Sequence, residues 1–269
     1  MKKVIGLLTA VGLMASPQVL AGTVTVSGST SVAHVMEVLA ENYQNVSNKN
    51  VEVQSTGSSA GIRAAKDGTS MIGMSSRNVK QSELSSDTKE IVIARDGIAA
   101  AVNNANPVKN LTQEQISKIY RGEIKNWSEV GGESRPIVVV TRENGSGTRG
   151  AFEEIMKLQR TINGHKVTAI IPTAQVGNGN GMIKTIVANN PYAIGYISLG
   201  SVDDSLRAID VDGVAATDDN IAAGDYQIAR PFIVLMDKNA PSTAQDFIEY
   251  IMSADGQGIV ASEGYIRVQ

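Results

Sequence analysis

Pro136-Ile-Val-Val-Val-Thr141 runs into Arg142-Glu-Asn-Gly-Ser-Gly-Thr-Arg149 and then into Gly150-Ala-Phe-Glu-Glu-Ile-Met156. A β-branched apolar run, a corner of glycine and hydroxyl residues, and a segment of helical periodicity follow one another. That order reads as strand, tight turn and helix. A helix start presents unpaired backbone N–H groups and the positive end of its dipole. Ser and Thr add hydroxyl donors there, and Gly lets an anion come close to the backbone. The same corner recurs at Gly28-Ser-Thr-Ser31, Gly57-Ser-Ser-Ala60 and Ser75-Ser-Arg77. Each alone reads as ordinary capping. All four follow strand-like runs, so a parallel sheet gathers them at its carboxyl edge, where α/β proteins bind ligands. Arg142 adds a planar cation suited to an oxyanion.

The rest of the chain alternates in the same way, which makes it an α/β protein. Thr23-Val-Thr-Val26, Val51-Glu-Val-Gln54, Met71-Ile-Gly-Met74 and Ala193-Ile-Gly-Tyr-Ile197 read as strands. Val32, Val35, Met36, Leu39 and Tyr43 fall on one helical face after Ser31. A helix over Leu111 to Tyr120 has Thr112 as its cap, and one over Ser242 to Met252 has Ser242. Gly177-Asn-Gly-Asn-Gly181 reads as a flexible turn before a helix over Met182 to Ala188. The apolar segment from Ile91 to Val102 and the run Arg230-Pro-Phe-Ile-Val-Leu235 are the expected crossings between two lobes. The expected division is residues 22–101 plus 231–269 for one lobe and 102–230 for the other.

Met1-Lys-Lys3, the apolar run Val4 to Ala15 and the small-residue pattern Val19-Leu-Ala21 read as a secretory signal peptide over 1–21, removed after Ala21. The apolar run is shorter than the roughly 20 residues that span a bilayer. The expectation is a soluble, exported, periplasmic monomer. Its 269 residues hold no cysteine, so stability rests on the core rather than on disulfides. A net charge of −3 with mixed signs argues against a nucleic-acid partner, and 4% aromatic residues leave little for stacking.

Gly145-Ser-Gly-Thr-Arg-Gly150 matches the dinucleotide pattern G-x-G-x-x-G, but no acid lies between Glu154 and Asp203 to hold a ribose. Gly181-Met-Ile-Lys-Thr185 lacks the Gly-Lys pair of a phosphate-binding loop. With two histidines and no cysteine, neither a zinc site nor a cofactor is expected. An exported hydrolase using Ser146 or Ser58 needs a base, and His34 and His165 read as solvent-facing or packing residues. The chain is not expected to be an enzyme. Asp203-Asp204 and Asp218-Asp219 read as solvated loop charges.

With Gly-Ser-Thr near the mature start, Gly57-Ser-Ser, Gly73-Met-Ser-Ser-Arg77 and Arg142-x-x-Gly-Ser-Gly-Thr148, the sequence resembles the periplasmic phosphate-binding proteins of the phosphate ABC importer. Asp96-Gly-Ile-Ala-Ala-Ala-Val-Asn103, Gly122-Glu-Ile-Lys-Asn-Trp127, Ala193-Ile-Gly-Tyr196 and Arg230-Pro-Phe-Ile-Val-Leu235 extend the resemblance over the mature chain. It implies a type II binding-protein fold: two α/β lobes, each a mostly parallel sheet flanked by helices, joined by two crossing strands and closing on the anion like jaws. It implies phosphate ligands at Thr30, Ser31, Ser58, Ser76, Arg142, Ser146, Gly147 and Thr148. Ser29, Arg77 and Asn144 are additional candidates, while Arg149 is expected to point outward. It also implies delivery of inorganic phosphate to an inner-membrane ABC permease. Well-known members carry an Asp where this chain has Ser76; that Asp accepts the proton of hydrogen phosphate and repels sulfate. Asn144 or a backbone carbonyl is the replacement acceptor expected here. A related tetrahedral oxyanion such as sulfate or molybdate is the alternative cargo, and a surface or matrix protein that only shares the fold is a further one.

Overall fold

The computed structural model describes residues 22–268, so the expected signal peptide over 1–21 lies outside the described residues. The strands are β1 (Val24–Gly28), β2 (Val51–Ser55), β3 (Ile72–Ser75), β4 (Thr88–Val102), β5 (Asn110–Leu111), β6 (Val138–Arg142), β7 (Gln159–Ile162), β8 (His165–Thr168), β9 (Gln175–Gly177), β10 (Ala193–Ser198), β11 (Arg207–Ala208), β12 (Asp210–Val211) and β13 (Ala229–Asp237). The helices are α1 (Thr30–Ser47), α2 (Ser58–Lys66), α3 (Gln113–Arg121), α4 (Gly147–Ile155), α5 (Gly179–Ala188), α6 (Asp218–Ala223), α7 (Ser242–Met252) and α8 (Ala254–Ser262).

One sheet runs through the molecule in the order β2-β1-β3-β13-β4-β10-β6-β9. At one end β1 is parallel to β2 and to β3; at the other β6 is parallel to β10 and to β9. The long strands β4 and β13 lie between them, antiparallel to each other. β3 runs antiparallel to β13, and β10 antiparallel to β4. This is a mixed, helix-flanked α/β sheet, and the two long strands are the ones expected from the runs at Ile91 and Arg230.

The two largest of the four hydrophobic clusters among the described residues lie toward opposite ends of the sheet. The first gathers Val32, Met36 and Leu39 of α1, Phe247 of α7, Ala94 of β4 and Phe232 of β13. The second gathers Ile98 and Val102 of β4, Tyr120 of α3, Trp127, Phe152 of α4, Tyr196 of β10 and Ile228. β4 therefore leaves one core at Ala94 and enters the other at Ile98. Asp96 and Arg230 are register partners in that changeover.

Local chemistry sets the helix ends. Thr112 accepts from Gln115 N while the Gln115 side chain accepts from Thr112 N, the reciprocal box that starts α3. α1 ends at Asn48, which takes the left-handed conformation and returns its N–H to Gln44 O. Some expectations need correction. Gly177–Gly181 is not a free turn: β9 ends at Gly177 and α5 already starts at Gly179. Ser242 is the first residue of α7 rather than its cap: the cap position is held by Pro241, which makes no side-chain capping bond. β7 and β8 form an exposed hairpin that carries no apolar alternation to announce it.

Candidate functional site

β1 reaches its corner through Gly28, where a Cβ would meet the Met74 carbonyl oxygen at 2.3 Å. The chain can therefore bring the start of α1 tight against the end of β3. Ser29 caps α1, its Oγ accepting from Ser31 N at 3.2 Å and Val32 N at 3.3 Å. Its hydroxyl hydrogen is then free to donate to Ser76 Oγ, 2.8 Å away. At the next corner Gly57 turns with a φ of 89° into α2. There Ser58 Oγ accepts from Ser76 N at 3.1 Å and lies 3.5 Å from Ser76 Oγ. The starts of α1 and α2 and the end of β3 thus share one cluster of hydroxyls.

The fourth corner comes from the other core. Ser146 caps α4 by accepting from Arg149 N at 3.2 Å, and Gly147 and Thr148 are buried behind it. A Cβ on Gly147 would lie 2.1 Å from Ser58 Oγ and 2.5 Å from Ser76 Oγ, so only glycine allows this approach. Ser59 N donates to Gly145 O at 3.1 Å, tying the two corners together. Thr148 Oγ1 meets Ser31 Oγ at 3.0 Å.

Arg142 sits at the centre and is almost wholly buried. Its Nη2 donates to Thr30 Oγ1 at 3.0 Å and its Nη1 to Asn180 Oδ1 at 2.8 Å and Thr148 Oγ1 at 3.4 Å. Glu143 grips the other edge, accepting from Nε at 2.8 Å and Nη2 at 2.9 Å. Burial pushes the Glu143 carboxyl up, but the Arg142 hydrogen bonds and charge outweigh it and hold it below its ordinary value. The backbone of Arg142 is fixed from behind by Tyr196, whose hydroxyl accepts from Arg142 N at 3.2 Å. Tyr196 stacks on Phe152 with ring centroids 4.0 Å apart, and burial pushes its phenol up to about 12. A cleft of about 770 Å³ opens onto Thr30, Gly57, Glu143 and Asn180.

Every one of the eight residues expected as phosphate ligands (Thr30, Ser31, Ser58, Ser76, Arg142, Ser146, Gly147, Thr148) lies in this junction. Ser29 joins them through Ser76. Two additional candidates do not. Arg77 pairs with Glu83 at 2.7 and 2.8 Å and donates to Ser59 Oγ at 3.2 Å. That pairing, led by the Arg77 hydrogen bond, holds the Glu83 carboxyl down. Asn144 is exposed and lines a separate groove together with Arg77, so it is not placed to accept from an anion at the junction. Arg149 also departs from its expected outward course. It folds back to donate from Nη1 to Arg142 O at 2.9 Å and from Nε to Glu153 Oε1 at 2.8 Å. His34 is exposed, near Glu263 at 3.5 Å, and His165 is exposed on β8.

Three partners of the site were not read from the sequence. Asn180, at the start of α5, donates from Nδ2 to Ser31 Oγ at 3.1 Å and to Ser201 Oγ at 3.1 Å. Arg230 donates from Nη2 to Ser31 Oγ at 3.1 Å and from Nη1 to the Ser76 carbonyl at 3.3 Å. Asp96 holds Arg230 at 2.8 Å and accepts from Ser198 Oγ at 2.8 Å. Burial pushes the Asp96 carboxyl up, against the pull of Arg230. The available signal was a charge inside each crossing strand, which burial must pair.

Two cores joined by paired long strands, with helix starts from both converging on a buried guanidinium, define a solute-binding protein of the periplasmic type. The chain matches the family model of the PBP superfamily domain over residues 15–255. It is 32% identical over 253 residues to the phosphate-binding protein PstS of Bacillus subtilis, covering 92% of this chain and 81% of that one. A Clostridium perfringens structure, described as a phosphate ABC transporter substrate-binding protein with bound phosphate, is 45% identical. It superposes with a TM-score of 0.87, covering 92% of this chain and 100% of that one. An ABC-type phosphate transport receptor from Vibrio cholerae is also 45% identical, with a TM-score of 0.76 and coverage of 90% and 99%. The chain belongs to the PstS family of phosphate-binding proteins within that superfamily, and its fold is the type II binding-protein fold.

Proposed function

We propose that this chain captures inorganic phosphate at the junction of its two halves and delivers it to an inner-membrane ABC permease. The observation that carries this reading is the meeting of Arg142 with Thr30 and Thr148, and of Thr148 with Ser31, hydroxyls drawn from both cores. A buried anion without partners costs many kcal/mol. Hydrogen bonds to a charged group contribute about 1.5–3 kcal/mol each. A handful of hydroxyl and backbone donors plus one guanidinium is enough for micromolar affinity, which needs about −8 kcal/mol. The phosphate ligands are Thr30, Ser31, Ser58, Ser76, Arg142, Ser146, Gly147 and Thr148. Residues 22–101 plus 231–269 form one lobe and 102–230 the other, and the lobes close on the anion by hinging at β4 and β13.

The protein works without catalysis, as an exported periplasmic monomer whose signal peptide is removed after Ala21. Among the described residues no histidine or carboxylate hydrogen-bonds the Ser58 or Ser146 hydroxyl, so neither serine has a general base in place. Sulfate or molybdate is a second reading, favoured by the uncharged Ser76. Titration calorimetry of the mature chain with each anion decides between them, and sulfate binding tighter than phosphate overturns the first. Millimolar phosphate is also expected to raise Tm, because a ligand of the native state stabilises it.

A further inference from the structure

Asn180 belongs to none of the strand-to-helix corners read from the sequence, yet it touches both halves of the junction. It is the second residue of α5, which starts at Gly179 with a φ of 73°. That left-handed conformation favours glycine, and it turns the first residues of α5 toward the end of β6. Gly179 N donates to Glu143 Oε2 at 3.2 Å, and Asn180 Oδ1 accepts from Arg142 Nη1 at 2.8 Å. One helix start therefore holds both members of the Arg142–Glu143 pair.

A guanidinium carries five N–H donors in a fixed plane. Glu143 takes the one on Nε and one on Nη2, and Asn180 takes one on Nη1. The two that remain, one on each Nη, face Thr30 Oγ1 of α1 at 3.0 Å and Thr148 Oγ1 of α4 at 3.4 Å. Those hydroxyls belong to opposite halves. A pair of N–H groups on neighbouring guanidinium nitrogens is the fork that grips an oxyanion.

Glu143 does not fix the direction of that fork by itself. It follows Arg142 directly in the chain and is half-buried at the cleft, so the two side chains are free to swing together. Asn180 is buried and anchored on its far side. Its Nδ2 donates across the junction to Ser31 Oγ at 3.1 Å and, in the turn after β10, to Ser201 Oγ at 3.1 Å. An amide nitrogen has two hydrogens, and the amide oxygen only accepts. Both hydrogens are thus placed, and the oxygen is held toward Arg142.

Resting on the phosphate reading above, we infer that Asn180 is a positioning residue of the anion site that acts through Arg142. It holds the third guanidinium hydrogen, so that the remaining two point between the starts of α1 and α4. A carboxamide suits this place because it accepts on one side and donates on the other. It does so without adding a charge that would oppose the anion.

Calorimetric titration with inorganic phosphate is run on the mature chain, on Asn180→Ala and on Asn180→Leu. The three measurements are repeated in an Arg142→Lys background. Lysine keeps the positive charge, so binding stays measurable, but it has no planar fork to aim. Asn180→Ala is expected to weaken binding roughly tenfold in the otherwise unchanged chain. In the Arg142→Lys background the same change is expected to weaken it by about twofold or less, because residues that act through one another are not additive. Asn180→Leu, closer in volume, is expected to follow Asn180→Ala, since it too lacks the acceptor. A loss of the same size in both backgrounds, with Tm lowered, marks a purely structural asparagine and overturns the inference. Affinity kept by Asn180→Leu but lost by Asn180→Ala traces the loss to a cavity and also overturns it. Unchanged affinity in both variants overturns it as well. Each of these results leaves the phosphate reading intact. No binding of phosphate by the unchanged mature chain overturns the reading and the inference together.

Discussion

Arg142 and Thr30 lie 112 residues apart in the chain, yet Arg142 Nη2 donates to Thr30 Oγ1 at 3.0 Å. The contact joins the end of β6 in one half to the start of α1 in the other. Arg142 reaches across because its backbone is pinned by Tyr196 and its guanidinium is squared up by Glu143. A fixed fork of donors aimed between two helix starts is the arrangement that recognises a tetrahedral oxyanion. Neither half supplies it alone, which ties binding to the relative placement of the halves.

Arg142→Ala is expected to weaken phosphate binding at least roughly tenfold while the chain stays folded, since a charge-assisted hydrogen bond contributes about 1.5–3 kcal/mol. Calorimetry measures the affinity and circular dichroism the fold. Unchanged affinity in a folded variant shows that the guanidinium does not face the anion.

The strand-to-helix corners were legible because their chemistry is local. Gly28, Ser146 and Thr148 announce a turn, a cap and a helix start within a few residues. The two crossing strands were legible as long apolar runs. Asn180 was not, because a glycine-rich stretch reads as a turn until tertiary packing makes it the start of α5. Arg230 and Asp96 stood inside runs already assigned to strands, and only the β4–β13 register makes them partners. Asn144 was expected at the site from its place in the loop, yet it is exposed in a different groove. Loop sequence does not fix side-chain direction.

Gly147→Ala tests the closeness of the two halves. The added methyl would lie 2.1 Å from Ser58 Oγ and 2.5 Å from Ser76 Oγ. Overpacking costs about 1–3 kcal/mol, equivalent to roughly fivefold to a hundredfold in affinity if the halves separate to relieve it. Phosphate affinity is expected to fall in that range with little change in Tm without ligand. A matching fall in Tm with intact affinity would mean that the contact is only packing.

Glu143 links the site to acid stability. Its folded pKa lies below the ordinary 4.5, through Arg142. A depressed carboxyl contributes stability that is complete above its unfolded value and lost as the pH falls through the folded one. Partial exposure limits the contribution to about 1 kcal/mol. Denaturant unfolding should therefore show Glu143→Gln less stable near neutrality by about that amount and less sensitive to acid below 4.5. Equal acid sensitivity in both proteins counts against the Arg142–Glu143 pair as a source.

Ser76 is the residue proposed to set which anions compete. Its Oγ already receives the Ser29 hydroxyl at 2.8 Å and stands 3.5 Å from Ser58 Oγ, while Arg230 holds its carbonyl. Ser76→Asp puts a carboxylate in the same cluster, with Ser29 ready to donate to it. Sulfate brings no hydrogen to that carboxylate and meets only repulsion, whereas hydrogen phosphate can donate to it. Like charges at such range disfavour each other strongly. Competition calorimetry is therefore expected to show the phosphate-to-sulfate affinity ratio rising at least roughly tenfold, which is about 1.4 kcal/mol of discrimination. A ratio that stays the same in the folded variant would place residue 76 outside the anion's first contacts, and the hydroxyl cluster around Ser29 and Ser58 would then serve only to hold α1 and α2 against β3.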